Sequence, residues 1–283
     1  MSFPIIINST NYVGNNLFRI NLPTTINLND YEVAVGSSYL YYSWYNINGS
    51  TLNNNKFTLT VPTSTTPLVL NIVIPDGLYQ IKDLNNYLQY ILIQNGLYIT
   101  NNTTAVNTYY ASFALSPTSY AVQFNTMALP TSLPAGTTSG GMTFPGSANQ
   151  SYQLTVLSTN NLKDILGMSA GMYPSSATIS GSTYTYNSDY TPNVSPISAI
   201  QMRLSCCYNP FSANSQLIHV FASNGATVGS TIDASPIQLQ YVPTIGSHRE
   251  LTLSFYDQLG RVLQLLDPNI IVKLIFRRQK NKP

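Results

Sequence analysis

Two histidines, two cysteines, two glutamates and eight aspartates are the whole stock of imidazole, thiol and carboxylate side chains. A zinc site takes four His, Cys or carboxylate ligands at characteristic spacings. Cys206 and Cys207 are adjacent, His219 sits in the apolar run "QLIHVF", and His248 sits in "GSHRE". No ligand spacing connects them, and His219 reads as a structural histidine. Neighbours on a strand point to opposite faces, so the two cysteines are poorly placed to bond each other. The G-x-S-x-G of a serine hydrolase's nucleophile elbow occurs once, as "GMSAG" at 167–171, but it follows the helical turn expected at 160–168 instead of joining a strand to a helix, so it does not support a triad. A glycosidase needs two carboxylates flanking a cleft. Glu32 and Glu250 are the only glutamates, and aspartates such as Asp76 in "PDG" and Asp257 sit in turn contexts. Neither a phosphate loop nor a dinucleotide fingerprint occurs. The sequence therefore reads as a non-enzyme with no catalytic residues, no cofactor and no metal.

The elements around these residues are mostly strands. Short alternating or β-branched runs are broken by Gly, Pro, Asn and Ser. Strands are predicted at 17–22, 31–45, 56–61, 68–74, 109–115, 120–125, 152–157, 199–207, 217–222, 237–242, 250–256 and 270–276. "LTLSFYD" shows the pattern, with Leu251, Leu253 and Phe255 on one face. One segment breaks it: Ile81, Leu84, Leu88, Ile91 and Leu92 fit one helical face, and Asn95-Gly96 supplies a stop. The spacing predicts a helix over about 81–94, and a shorter helical turn over 160–168 capped by Asn161. Long loop excursions are predicted at 127–150 and 169–198. The predicted fold is all-β: a single jelly-roll β-sandwich domain over 1–283, with one inserted helix, long end loops and a basic C-terminal tail at 277–283.

Composition bears on the surface. The chain has 283 residues and is 43% hydrophobic, yet only 8% of it is charged, and it carries 21 Tyr. Ordinary domains carry about 25% charged residues. Interface cores are depleted in Lys, Glu and Asp and enriched in Tyr, so this balance points to a surface that meets other protein. The stretch Tyr39, Tyr41, Tyr42, Trp44 and Tyr45 puts large groups on both faces of one predicted strand. These five are the candidate subunit-interface residues. Net charge is +2, too small for a general nucleic-acid binder. Arg277, Arg278, Lys280 and Lys282 form the one basic cluster and the candidate nucleic-acid contact. "MSFPIIINST" has no basic start and no long apolar run, so no signal peptide is read, and no stretch reaches the roughly 18 apolar residues of a membrane helix.

Four stretches in order carry a resemblance: "LNDYEVAVGSSYLYYSWYNI", "IPDGLYQIKDLNNYLQ", "NLKDILGM" and "LTLSFYDQLGRVLQLLDPNIIVKLIFR". Together they resemble the minor capsid, or penton, proteins of virophages and of Polinton (Maverick) and adintovirus-like elements. An aromatic strand with S-W-Y-N, then P-D-G-x-Y and a helix, a Leu-Gly turn, and a D-x-x-G hairpin before an I-x-L-x-F strand make up the pattern. Here the hairpin is "YDQLGRVL", with Asp257 and Gly260. Met168 stands where the family has an aromatic, and 127–150 has no counterpart. The resemblance implies a homopentameric penton at the fivefold vertices of an icosahedral capsid. Its implied partners are further copies of itself, the major capsid protein of the same virus and, through the tail, the genome. It also implies a place in the virion, with synthesis in the host cytoplasm or viral factory. The alternative reading is a receptor- or glycan-binding β-sandwich module, such as a fibre head or lectin.

Overall fold

The computed structural model describes residues 2–223 and 225–279. The all-β class holds. Within it the chain divides into two compact units, Met1–Trp44 with Ile197–Pro283, and Tyr45–Pro196.

The first unit begins with β1 (Ser2–Asn8), β2 (Tyr12–Gly14), β3 (Leu17–Asn27) and β4 (Tyr31–Tyr41). The second unit follows in the chain. It contains β5 (Lys56–Val61), β6 (Leu68–Val73), α1 (Ile81–Gln94), β7 (Ile99–Asn101), β8 (Asn107–Thr108), β9 (Ala111–Leu115), β10 (Val122–Met127), β11 (Thr137–Ser139), β12 (Gln153–Val156), α2 (Leu162–Leu166), β13 (Gly171–Tyr173) and β14 (Thr183–Asn187). The chain then returns to the first unit with β15 (Ile200–Leu204), β16 (Leu217–Phe221), β17 (Thr231–Asp233), β18 (Val242–Pro243), β19 (Ser247–Asp257) and β20 (Ile270–Arg278).

The first unit is a jelly roll. One sheet runs β1-β20-β4-β17, with β18 also on β4; the other runs β16-β15-β19-β3-β2. Setting aside the short β2 and β18 and counting the rest in chain order, the sheets read 1-8-3-6 and 2-7-4-5. That interleaving is the double Greek key of a jelly roll. Inward side chains of both sheets make one core: Val33, Leu40, Val272 and Phe276 from one, Phe18, Met202, Leu253 and Phe255 from the other. Strict alternation along β19 and β20 does this, as strand periodicity requires.

The second unit lies in sequence between the third and fourth jelly-roll strands. Its sheets are β13-β12-β5-β6, β14-β10-β9 and β11-β7-β8. The helix was legible in the sequence: Ile81, Leu84, Leu88 and Leu92 are buried, and Asp83 Oδ2 accepts the N–H of Gln80 at 2.9 Å. Asn85 Oδ1 accepts the N–H of Phe113 on β9 at 2.9 Å, which seats the helix against that strand. Gly96 ends it with φ +67°, and a Cβ there would lie 2.3 Å from Gly140 O. The second unit is compact by itself for a physical reason. This segment of about 150 residues has apolar side chains enough to bury its own core, around Ile47, Leu59, Leu88, Phe124, Tyr152 and Leu154.

Three expectations need correction. The 127–150 and 169–198 stretches are not plain loops, because they carry β11, β13 and β14. "TYTYN" in β14 pairs with β10, a five-residue strand whose Thr/Tyr alternation is hidden between Gly- and Ser-rich flanks. The strand at 237–242 is reduced to Val242–Pro243; Pro236 and Pro243 lack donors, and Ile237 is solvent-exposed. Asn161 stands at the N-cap of α2 but makes no side-chain cap. Asn160 Oδ1 instead accepts the N–H of Leu162 at 3.1 Å, while Asn161 Nδ2 donates to Leu52 O.

Candidate interaction surfaces

The five aromatic residues proposed for an interface do not act together. Their sequence phase suggested one long strand with large groups on both faces. In the structure β4 pairs Val35 with Leu274 and Ser37 with Lys273, leaving Gly36 as an extra residue. This bulge resets the alternation. Val33 and Val35 point into the core before it, and Ser38 and Leu40 point in after it. Tyr39 and Tyr41 consequently face outward, 39% and 37% exposed. The strand ends at Tyr41, so the continuation loses its strand phase. Trp44 turns into the jelly-roll core at 2% exposure, with Tyr42 packed on it at a ring separation of 4.3 Å. Trp44 is therefore a core residue and is removed from the interface set. Tyr45 belongs to the second unit and is half-buried.

What remains on the outer face of the β1-β20-β4-β17 sheet is a coherent patch. Tyr39 stands opposite Ile271, which stands opposite Asn8, and Tyr41 stands opposite Thr231. Ile6, Ile271, Tyr39 and Tyr41 are all exposed. A cleft of about 420 Å³ opens there, lined by Tyr39, Tyr41, Thr231 and Ile271 together with Ser9 and Thr10. Ile271 was the residue missed in the sequence; alternation in "NIIVKLIF" assigns it outward once Val272 is placed inward.

The basic cluster is also divided. Arg277 and Arg278 are the last residues of β20 rather than part of a tail. Arg277 Nε donates to Glu32 Oε1 at 2.5 Å, and its guanidinium lies 3.4 Å above the ring of Tyr241. Both commitments hold it on the protein. Arg278 is exposed, and Lys280 and Lys282 lie outside the described residues.

The groups first weighed for chemistry are structural in their surroundings. Asp257 is buried in the turn after β19; its Oδ1 accepts the N–H groups of Leu259 and Arg261, both at 2.9 Å. Its Oδ2 accepts from Arg261 Nε at 2.6 Å. Gly260 follows with φ +77°, the left-handed residue such a turn requires. His219 Nε2 meets Ala234 O at 2.9 Å, which selects the Nε2–H tautomer. Burial holds its pKa below the ordinary imidazole value, although the Ala234 carbonyl pulls the other way. Cys206 and Cys207 are both buried and free. Among the described residues no group of three or more His, Cys, Asp or Glu could hold a metal ion, and no helix is long and apolar enough to cross a membrane.

No protein-family model and no curated protein matches the sequence. Among solved structures the chain is similar to the mavirus penton protein, with a TM-score of 0.46 and 12% identity over 98% of this chain and 99% of that one.

Proposed function

We propose that this chain is a structural minor capsid protein whose jelly roll assembles into homopentameric pentons at icosahedral vertices. The observation that carries this reading is the outer face of the β1-β20-β4-β17 sheet. A sheet covered on one side by its own core needs nothing apolar on the other. This one exposes Ile6, Tyr39, Tyr41 and Ile271 together, in a chain with very few charges to keep it dispersed. The jelly-roll topology is one that capsid subunits and lectins share, so it supports the reading without selecting it. The ordered sequence resemblance to the virophage and Polinton group selects the capsid role. In this reading a patch on one flank meets a different flank of the next copy, and such contacts close into a ring when the rotation fits. The major capsid protein is the surrounding partner, and the assembled virion is the location. Genome contact would draw on Arg278 and the residues after it, since Arg277 is already committed to Glu32 and Tyr241.

The test is the native mass of the purified full chain by multi-angle light scattering, with negative-stain images of the same peak. A ring of five 31.1-kDa copies, about 155 kDa, is the expected result. A trimer would favour the fibre-head or lectin-like alternative, and a monomer at high concentration would remove self-assembly from the proposal.

A further inference from the structure

The second unit carries an open cavity of about 400 Å³ at one end of the β14-β10-β9 sheet. It is lined by Ser119 and Tyr120 from the β9–β10 connection, and by Asn187, Asp189, Tyr190 and Thr191 from the segment that ends and follows β14. Three features distinguish it from an ordinary surface hollow.

The first is Tyr120. It closes the turn of the β9–β10 hairpin, where Ser116 N–H donates to Ala121 O at 2.8 Å. Its φ is +46°, in the left-handed region that Gly or Asn normally occupies. A bulky side chain is disfavoured in that conformation, yet the position holds a phenol ring 63% exposed to solvent. Strained residues that present a side chain outward cluster at ligand sites.

The second is Tyr190, 42% exposed but anchored. Its hydroxyl donates to Met168 O at 3.0 Å, and its N–H donates to Gly167 O at 3.1 Å. A ring held at both ends loses little freedom when a ligand lies on it.

The third is the polar complement. Asp189 Oδ2 accepts the N–H of Ser169 at 2.7 Å, and its Oδ1 accepts the Tyr186 hydroxyl. These bonds hold the carboxylate in place and leave it further acceptor capacity. Asn187 Oδ1 accepts from Gln123 Nε2 at 2.9 Å, so its Nδ2 donors remain for a ligand. The lining contains one acid and neither Lys nor Arg.

Two exposed tyrosine rings beside a fixed acceptor and a fixed donor suit a molecule with C–H faces and adjacent hydroxyls. A nucleic acid also stacks on tyrosine, but its phosphates need positive charge that the cavity lacks. We propose that this cavity binds a neutral pyranoside, with Tyr120 and Tyr190 as stacking platforms and Asp189 and Asn187 holding neighbouring hydroxyls. The site lies wholly in the second unit and does not depend on pentamer formation.

The test uses the full chain and saturation-transfer NMR with methyl glycosides of glucose, galactose, mannose and N-acetylglucosamine, with sialyllactose as the charged comparison. At least one neutral glycoside should show transfer to its ring protons with a dissociation constant of about 1–10 mM, the scale of so small a ligand. Tyr120→Gly is the decisive variant, because it removes the ring and relieves the backbone at once. It should leave the thermal midpoint unchanged or raised while weakening binding about tenfold or more. Tyr190→Ala and Asn187→Ala should weaken it as well. Presenting the preferred sugar as a soluble oligosaccharide and on a glycolipid in phosphatidylcholine vesicles separates the two natural sources. Absence of transfer from every neutral glycoside, stronger binding of sialyllactose, or unchanged binding by Tyr120→Gly would each overturn the assignment.

Discussion

Replacing Asp257 tests how the jelly roll closes its last hairpin. The carboxylate is buried, and its two oxygens have separate duties. Oδ1 accepts two backbone N–H groups, from Leu259 and Arg261, while Oδ2 accepts from Arg261 Nε. Asp257→Ala removes all three bonds and strands two turn N–H groups. A buried donor left unmade costs about 1–3 kcal/mol. Loss of one partner of a buried pair costs about 3–5 kcal/mol, but Arg261 is partly exposed and can rehydrate, so the low end applies. The expected destabilisation is about 3 kcal/mol. Asp257→Asn keeps an amide oxygen for both N–H groups and loses only the guanidinium contact, for about 1 kcal/mol. Arg261→Ala should cost no more than that. The assay is urea unfolding followed by tryptophan fluorescence. Trp44 is the chain's single tryptophan and sits in the jelly-roll core, so its emission reports that unit. With an m-value of about 2 kcal/mol/M, the Ala variant should shift the midpoint by about 1.5 M. An Ala variant within about 0.5 kcal/mol of the parent, or an Asn variant as damaged as the Ala variant, would refute the division of labour between the two oxygens.

Other perturbations follow from the same structure. Gly167→Ala should destabilise the second unit by about 2–4 kcal/mol, because φ is +68° and the new Cβ would lie 2.2 Å from Tyr190 O; calorimetry should show it as a transition that Trp44 emission does not follow. His219 is held neutral when folded, so its stabilising contribution is present above the ordinary imidazole pKa of about 6.5 and is lost as pH falls through the lowered folded value. The Trp44-monitored midpoint should therefore drop from pH 7 to pH 5, and His219→Gln should flatten that slope. Tyr39→Lys with Tyr41→Lys should lower the native mass measured by light scattering while leaving the Trp44 transition within about 0.5 kcal/mol, since both side chains face solvent in the single chain. An unchanged mass would remove this face from the assembly contact.

Local pattern determined much of this protein from its sequence alone. The spacing of Ile81, Leu84, Leu88 and Leu92 specified the helix, alternation in "LTLSFYD" specified the inward face of β19, and Asp257 with Gly260 specified a turn. Each depends on neighbours within one or two turns of chain, where period and turn chemistry are readable. Tertiary structure decided the rest, because the deciding contacts are remote in sequence. The extra residue at Gly36 exists only in register against β20, some 240 residues away, and it alone sends Tyr39 and Tyr41 outward. The fate of Trp44 rests on where β4 stops pairing, and that of Arg277 on Glu32 and Tyr241 meeting it across the fold. The division into two units depends on which apolar residues share a core, which composition cannot apportion. The cavity at Tyr120 and Tyr190 needs a hairpin turn and the segment after β14 to converge, and a strained φ that no residue type announces.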